Sequence, residues 1–343
     1  MISWQRHAAP WWRQEPERWE SWVDAAGLPL FCRNAWLDAV VAHYAPRLAV
    51  WVASVAGEPI GALPLAVGRW RGIPVWRWLG SELCPDHLDL IAPPGEQTRL
   101  WASFLAEVVP AHAPPLLFWE GMREASALLS QRWPPRLTLW ARPPRTVPFL
   151  DLRRLNDRAA LLAHVTPKLR QELSYLDRRV ARDAPTAALR EVREPQAIAA
   201  TLRQLAAWSR QQHGAASAWA DPRFVALHEQ LAPRLAAEGW LGLFTFGPPE
   251  EPWAIAYGFR DGTSYRYYQP AFDRRAARYS PAKLLIARLI EHGATEGWQE
   301  FDFLLGEERY KFEWNPAVRH EADWRMGRGL IGRIVTQGAI WLG

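Results

Sequence analysis

The segment RRAARYSPAK, from Arg274 to Lys283, sets an electrostatic problem. Ser280 followed by Pro281 marks a helix start, because serine caps and proline has no N–H to lose. A helix N-terminus carries partial positive charge and favours acidic neighbours. Here Arg274, Arg275 and Arg278 precede the start and Lys283 lies in the first turn. Each cation costs roughly 0.3–1 kcal/mol through the dipole, before mutual repulsion. A phosphate or pyrophosphate reverses that sign, since the outward amides of Ala282 and Lys283 act on it together with the guanidinium groups. Arginine bias with solvent screening is the bland reading of the same residues.

A second group follows in EFDFLLGEERYKFEW. Phe301, Phe303 and Leu305 alternate towards one side of a strand, which puts Asp302 on the other. A carboxylate inside so apolar a strand is either paired or used. Gly306 then turns the chain, and Glu308, Tyr310 and Lys311 gather beyond the strand. In a β-α-β unit the carboxyl edge of the first strand lies beside the helix N-terminus, so both groups face one cleft. An Asp302–Lys311 ion pair and a catalytic Asp302 both fit the spacing. No Ser-His-Asp or Cys-His grouping is readable, so a covalent intermediate is not favoured. Cys32 and Cys84 lack paired spacing, which argues against a zinc site or a disulfide framework, and no metal is expected.

The elements that hold these groups show the same grammar twice. AVWVASV and PIGALPLAV, then IPVWRWLG and DHLDLI, read as strands, followed by a helix TRLWASFLAEVV and a strand PLLFWE. Later, WLGLFTF, PWAIAYGF and TSYRYYQ are strands, with a tight turn at Asp261-Gly262, before the helix from Ser280 and the strand at 300–305. Each half is an antiparallel meander running into a β-α-β unit, an α+β (mixed α/β) fold. PPRTVPFLDLRRL marks the boundary, giving domains 1–150 and 151–343. Thr166 and Pro167 open a helix whose Leu169, Leu173, Leu176 and Val180 share a face. Lys168, Arg170, Arg178, Arg179 and Arg182 make the rest basic, as a solvated face or as the wall of an anion-binding groove. Further helices are expected over roughly 195–213 and 221–238. His213, in SRQQHGA, is either exposed at a helix end or part of an acceptor pocket.

Composition excludes several classes. The 343 residues are 49% hydrophobic and 22% charged, with material for two cores and no low-complexity run. Net charge is +5, and lysine occurs only at 168, 283 and 311. The 22 tryptophans are read mainly as core residues, with aromatic nucleic-acid platforms as the alternative. No recognition motif accompanies the charge, so DNA is not an expected partner. The start MISWQRHAAPWW lacks the apolar stretch of a signal peptide, and no segment reads as a transmembrane span, so a cytoplasmic protein is expected. The tail GLIGRIVTQGAIWLG is apolar enough to dock on a core or an interface, but too short to span.

These residues carry a family likeness. Tyr268-Gln269-Pro270, Tyr279-Ser280-Pro281, Asp302-Phe303, and Gly306 with Glu308, Tyr310 and Lys311 resemble the conserved heart of the CelD-type, or BioF2-like, acyltransferases of the GNAT superfamily. The basic helix TPKLRQELSYLDRRV is similar to that family's opening helix, and FCRNAWLDAV with GALPLAV to its N-terminal half. Two departures stand out: Tyr279 and Pro281 fall where the superfamily's glycines align, and Ala282 replaces the family's own glycine. The resemblance implies tandem GNAT-like domains, each a mostly antiparallel mixed sheet flanked by helices, as in the FemAB peptidyltransferases. It places acetyl-CoA or a longer acyl-CoA in the C-terminal domain, with its pyrophosphate at the basic helix start. Tyr268, Gln269, Arg274, Arg275, Arg278, Ser280, Ala282 and Lys283 would then bind the cofactor, and Lys168, Arg170 and His213 the acceptor. Asp302 or Glu308 would be the base, Tyr310 or Tyr279 the acid, and Lys311 would hold charge while an amine or hydroxyl attacks the thioester. The acceptor would be a small molecule or a glycan of envelope polysaccharide metabolism. The rivals are FemAB-like transfer from aminoacyl-tRNA and a non-catalytic scaffold in polysaccharide assembly.

Overall fold

The computed structural model describes residues 1–83, 86–134 and 136–339; Cys84 and tail residues 340–343 lie outside the described residues. The chain forms two compact units, Met1–Arg145 with His320–Gly343, and Thr146–Arg319.

In the first unit β1 (Ile2–His7), β2 (Arg47–Val55), β3 (Glu58–Trp70) and β4 (Ile73–Trp78) pair antiparallel in sequence order. Helices α1 (Pro16–Ala25) and α2 (Asn34–Tyr44) connect β1 to β2. The two hairpin turns each set two successive residues at positive φ, Ala56-Gly57 and Arg71-Gly72, the geometry that matches strand twist. A helical crossover follows: α3 (Gln97–Ser103), a π-helical segment (Phe104–Val108) and α4 (Val109–His112). It leads to β5 (Leu116–Arg123), which runs parallel to β4. From the chain's last part, β13 (Ala317–Arg328) pairs antiparallel with β5 and with β6 (Leu137–Ala141), and α11 (Gly329–Ala339) follows it. Residues 86–91, expected as a strand, make only the isolated bridges Leu88–Met122 and Ala62–Ile91. His87 adopts φ +59, which an extended strand does not allow. Among the described residues fifteen tryptophans are buried, so they are core material; Trp78, Trp101 and Trp119 meet edge to face.

The second unit repeats the pattern. β8 (Ala188–Glu191), β9 (Leu241–Gly247), β10 (Ala254–Asp261) and β11 (Ser264–Phe272) pair antiparallel. The crossover helix α9 (Pro281–Thr295) leads to β12 (Glu300–Asp302), parallel to β11. β7 (Arg145–Asp151) closes the sheet antiparallel to β12. α5 (Arg158–His164), α6 (Pro167–Asp183), α7 (Pro195–His213) and α8 (Pro222–Ala237) flank it. Each unit is thus a mostly antiparallel mixed sheet with helices packed on it, as expected. Thr166 caps α6 through the Leu169 amide. Leu169, Leu173, Leu176 and Val180 enter one core with Leu284, Leu285, Leu289, Tyr267, Phe301 and Phe303. Each such aliphatic side chain contributes roughly 1.5–3 kcal/mol on burial.

Candidate functional site

The site is built where β11 loses its neighbour. β10 and β11 pair from Ala254–Phe272 to Tyr257–Gln269 and resume at Phe259–Arg266. Two steps along β10 match three along β11, so β11 carries a bulge at Tyr267–Tyr268. On its other side β11 pairs with β12 over only Ser264–Glu300, Tyr265–Phe301 and Arg266–Asp302. β12 was expected to run to residue 305, but Leu304 turns to φ +56 and ends it. From residue 267 onward no described strand pairs with β11 on that side. The backbone edge of 267–272 is thus left unpaired on that side.

β11 runs directly into the basic segment. Asp273 accepts from the Arg275 amide and binds the Arg275 guanidinium at 2.9 and 2.6 Å, which holds its carboxyl below the ordinary range. The chain coils from Arg274 to Tyr279, and Ser280 enters the left-handed region at φ +45. Its hydroxyl does not cap α9, contrary to the expectation from Ser-Pro. The Ser280 carbonyl instead accepts from the amides of Lys283 (3.0 Å) and Leu284 (3.3 Å). The Ala282 amide is left without an acceptor among the described residues. Ala282 itself is not a positive-φ residue, so its methyl group brings no backbone strain.

The four cations differ in how far they are committed. Lys283 binds Glu172 at 2.6 Å and Glu313 at 2.8 Å. Burial pulls its ammonium down, but those hydrogen bonds outweigh burial and hold its pKa above the ordinary value. Arg275 is engaged by Asp273. Arg274 donates to the Gln212 carbonyl at 3.4 Å and is exposed. Exposed Arg278 lies 4.8 Å over the Tyr279 ring, which stacks on Trp253 at 4.4 Å. Arg179 of α6 sits 5.4 Å from the same ring and donates to the Arg278 carbonyl at 3.2 Å. Arg179 also pairs with Asp183 at 3.7 Å, so Arg274 and Arg278, both exposed in the turn before α9, are the cations of this group left most open to solvent.

At the end of β12, Asp302 is fully buried. One oxygen accepts from Arg266 and Arg319, each at 2.7 Å, and the other from the Leu304 amide at 2.8 Å. Asp261 and Glu300 complete this network through the same arginines. Lys311 is also buried and donates to the Leu304 and Leu305 carbonyls at 3.2 and 2.8 Å, with Glu308 at 3.0 Å. Gly306, at φ +129, leaves room for the Glu308 carboxylate, which any Cβ there would strike. Glu308 keeps 57% of its side chain exposed. Tyr310 lies on α10 (Arg309–Phe312), where burial raises its phenol well above the ordinary pKa.

The remaining expected residues scatter. Lys168 is exposed on α6. Arg170 donates to the Leu162 and Ala163 carbonyls and so closes the end of α5. His213 is exposed at the end of α7, next to Gln212, which holds the Phe272 carbonyl at 2.8 Å. Tyr268 and Gln269 turn to the α7–α8 side, meeting His228 (3.5 Å) and Trp219 (3.3 Å). His228 is buried, with Nδ1 3.0 Å from the Tyr257 hydroxyl, and burial lowers its pKa to about 3. The sequence reading missed His228, Arg266 and Arg319. An apolar face recurring at Phe224, Leu227 and Leu231 was the one signal that His228 points inward.

With this geometry in view, comparisons with known proteins bear on the second unit. Residues 167–312 match the family model of an acetyltransferase (GNAT) domain. The GNAT match spans α6 through α10 and so includes the unpaired edge of β11 and the basic helix start. No curated protein matches the chain in sequence. Among solved structures, FemX superposes with TM-score 0.63 at 9% identity, covering 93% of this chain and 96% of that one. A conserved protein of unknown function from Bacteroides thetaiotaomicron gives 0.59 at 12% identity, with coverage of 96% and 100%. L-PGS from Bacillus licheniformis gives 0.56 at 13% identity, with 94% and 96%. These likenesses concern the fold. Among the described residues no His, Cys, Asp and Glu group is placed to hold a metal, and no helix is long and apolar enough to cross a membrane.

Proposed function

We propose that the chain transfers an acyl group from acetyl-CoA or a longer acyl-CoA to an amine or hydroxyl by direct attack. The observation that carries this reading is the edge of β11 left unpaired from residue 267, which runs directly into a basic turn holding the unbonded Ala282 amide and the exposed Arg274 and Arg278. A diphosphate meets backbone donor, helix dipole and cations together there. The backbone of 267–272 supplies N–H donors for the thioester oxygen as negative charge develops on it. Tyr310, kept protonated by burial, is the proton donor to the departing thiolate. Glu308 is the base, because its half-exposed carboxylate retains free lone pairs, whereas Asp302 is saturated by Arg266, Arg319 and the Leu304 amide. Lys311 holds the turn on which Glu308 stands. The CelD-type motifs favour a glycan or small-molecule acceptor from envelope or exopolysaccharide metabolism.

Calorimetric titration with acetyl-CoA tests the reading, with saturable binding expected. A second reading, FemAB-like transfer from aminoacyl-tRNA, draws on exposed Arg178 and Arg182 of α6 and on the likeness to FemX along the whole chain. Binding only of charged tRNA, with steep salt dependence, would favour that rival. A folded protein that binds neither donor would point to the non-catalytic scaffold.

A further inference from the structure

Three large aliphatic side chains stand exposed on α11: Leu330 at 74%, Ile331 at 55% and Ile334 at 60%. Spaced by one and four residues, they share one face of the helix. The opposite face is already seated. A side chain on Gly327 would collide with the Gly332 backbone, and one on Gly332 with the Pro115 carbonyl. Val335 packs on Val75, Leu116 and Phe118, and Thr336 is buried, bonding back to the Gly332 carbonyl at 2.8 Å. The outer aliphatic face is therefore surplus to the unit's own core.

Arginine dominates the charge around that face, and Glu120 of the neighbouring β5 is held by Arg325 at 3.4 Å. Residues 125–150 and 324–343 contain no Asp or Glu. The structure brings the two segments together, since β13 pairs with β6 and α11 packs on β6. Arg132, Arg136, Arg142 and Arg333 are exposed there, and Trp133 and Trp140 are half-buried. A cleft of about 390 Å³ opens at the start of α11, lined by Val109, Pro110, Pro134 and Leu137 with Arg136 and Arg328.

Aliphatic side chains set among arginines and indoles match an anionic bilayer surface. The aliphatics enter the acyl boundary and the guanidiniums meet lipid phosphates. Nucleic acid would use the arginines but leave Leu330, Ile331 and Ile334 in water. A second copy approaching by two-fold symmetry would set arginines against arginines. We infer that the first unit docks through α11 and the adjoining β6 edge onto a membrane of anionic phospholipid. At 11 residues α11 lies on such a surface and does not cross it.

Vesicle flotation of the whole chain tests this. Co-flotation is expected with vesicles of equal parts phosphatidylcholine and phosphatidylglycerol, weakening as salt rises, and not with phosphatidylcholine alone. Ile331→Glu with Ile334→Glu should abolish it. Arg132→Glu with Arg136→Glu and Arg333→Glu should lower partitioning roughly a hundredfold. All these side chains are exposed, so both variants should melt as the parent does, which circular dichroism checks. Failure to float with anionic vesicles, or equal flotation of parent and variants, overturns the inference. So does a dimer in ultracentrifugation that Ile331→Glu with Ile334→Glu dissociates while anionic vesicles stay bare, which would assign the face to a second copy.

Discussion

Lys311 Nζ stands 3.0 Å from the Glu308 carboxylate and holds it against the turn that ends β12. The same ammonium binds the Leu304 and Leu305 carbonyls. The run from Gly306 to Lys311 is therefore first a clip: glycine admits the carboxylate, the carboxylate meets the lysine, and the lysine satisfies two carbonyls around a left-handed residue. Lys311→Met should cost about 2–4 kcal/mol, because it strands buried carbonyls and removes a buried charge partner. Lys311→Arg should not rescue it, since a planar fork does not fit a compact ammonium's site. Urea unfolding of both variants measures this.

Gly306→Ala tests the clip from its other end. At φ +129 an alanine is strained, and its Cβ strikes the Glu308 carboxylate. A loss of about 1–3 kcal/mol is expected. If Glu308 is the base, the turnover lost should exceed what the fraction unfolded explains. Combined unfolding and turnover measurements separate the two effects.

Tyr310→Phe keeps the packing and removes only the hydroxyl. As the acid for the thiolate, Tyr310 should give a fall in kcat of roughly a hundredfold or more, with acyl-CoA affinity unchanged. Steady-state kinetics with parallel binding titrations would show it, and an unchanged kcat would remove the tyrosine from the reaction.

His228 makes acid stability testable. Burial lowers its folded pKa to about 3 from an ordinary 6.5. Between those values the unfolded chain takes up a proton that the folded chain refuses, so stability rises with pH across that window. The contribution is complete above pH 6.5 and is lost as pH falls towards 3. Its slope approaches about 1.4 kcal/mol per pH unit. His228→Phe should flatten the unfolding free energy between pH 6 and about 4, whatever it does to absolute stability; an unaltered slope in denaturant titrations would contradict the burial argument.

Local rules made much of this legible. Thr166-Pro167 and the leucine spacing placed α6, and Asp261-Gly262 placed the β10–β11 turn. Both depend on residues close in sequence. The β11 bulge and the early end of β12 were not legible, because each follows from pairing between distant segments. The fate of charges was hidden for the same reason. Ser280 next to Lys283 suggests an open anion site, but Glu172 and Glu313, which neutralise Lys283, come from elsewhere in the chain. Asp302 looked as free to act as to pair until Arg266 and Arg319 closed on it.

The central claim is that a diphosphate lies against the Ala282 amide and the open arginines, and acetyl-CoA titration of paired variants tests it most directly. Arg274→Glu with Arg278→Glu should weaken binding by about tenfold per charge reversed or more, with thermal stability retained because both side chains are exposed. Arg275→Glu should act chiefly on loop order, since Asp273 already holds that guanidinium. Equal affinity of the parent and the Arg274/Arg278 double variant would contradict the placement of the donor.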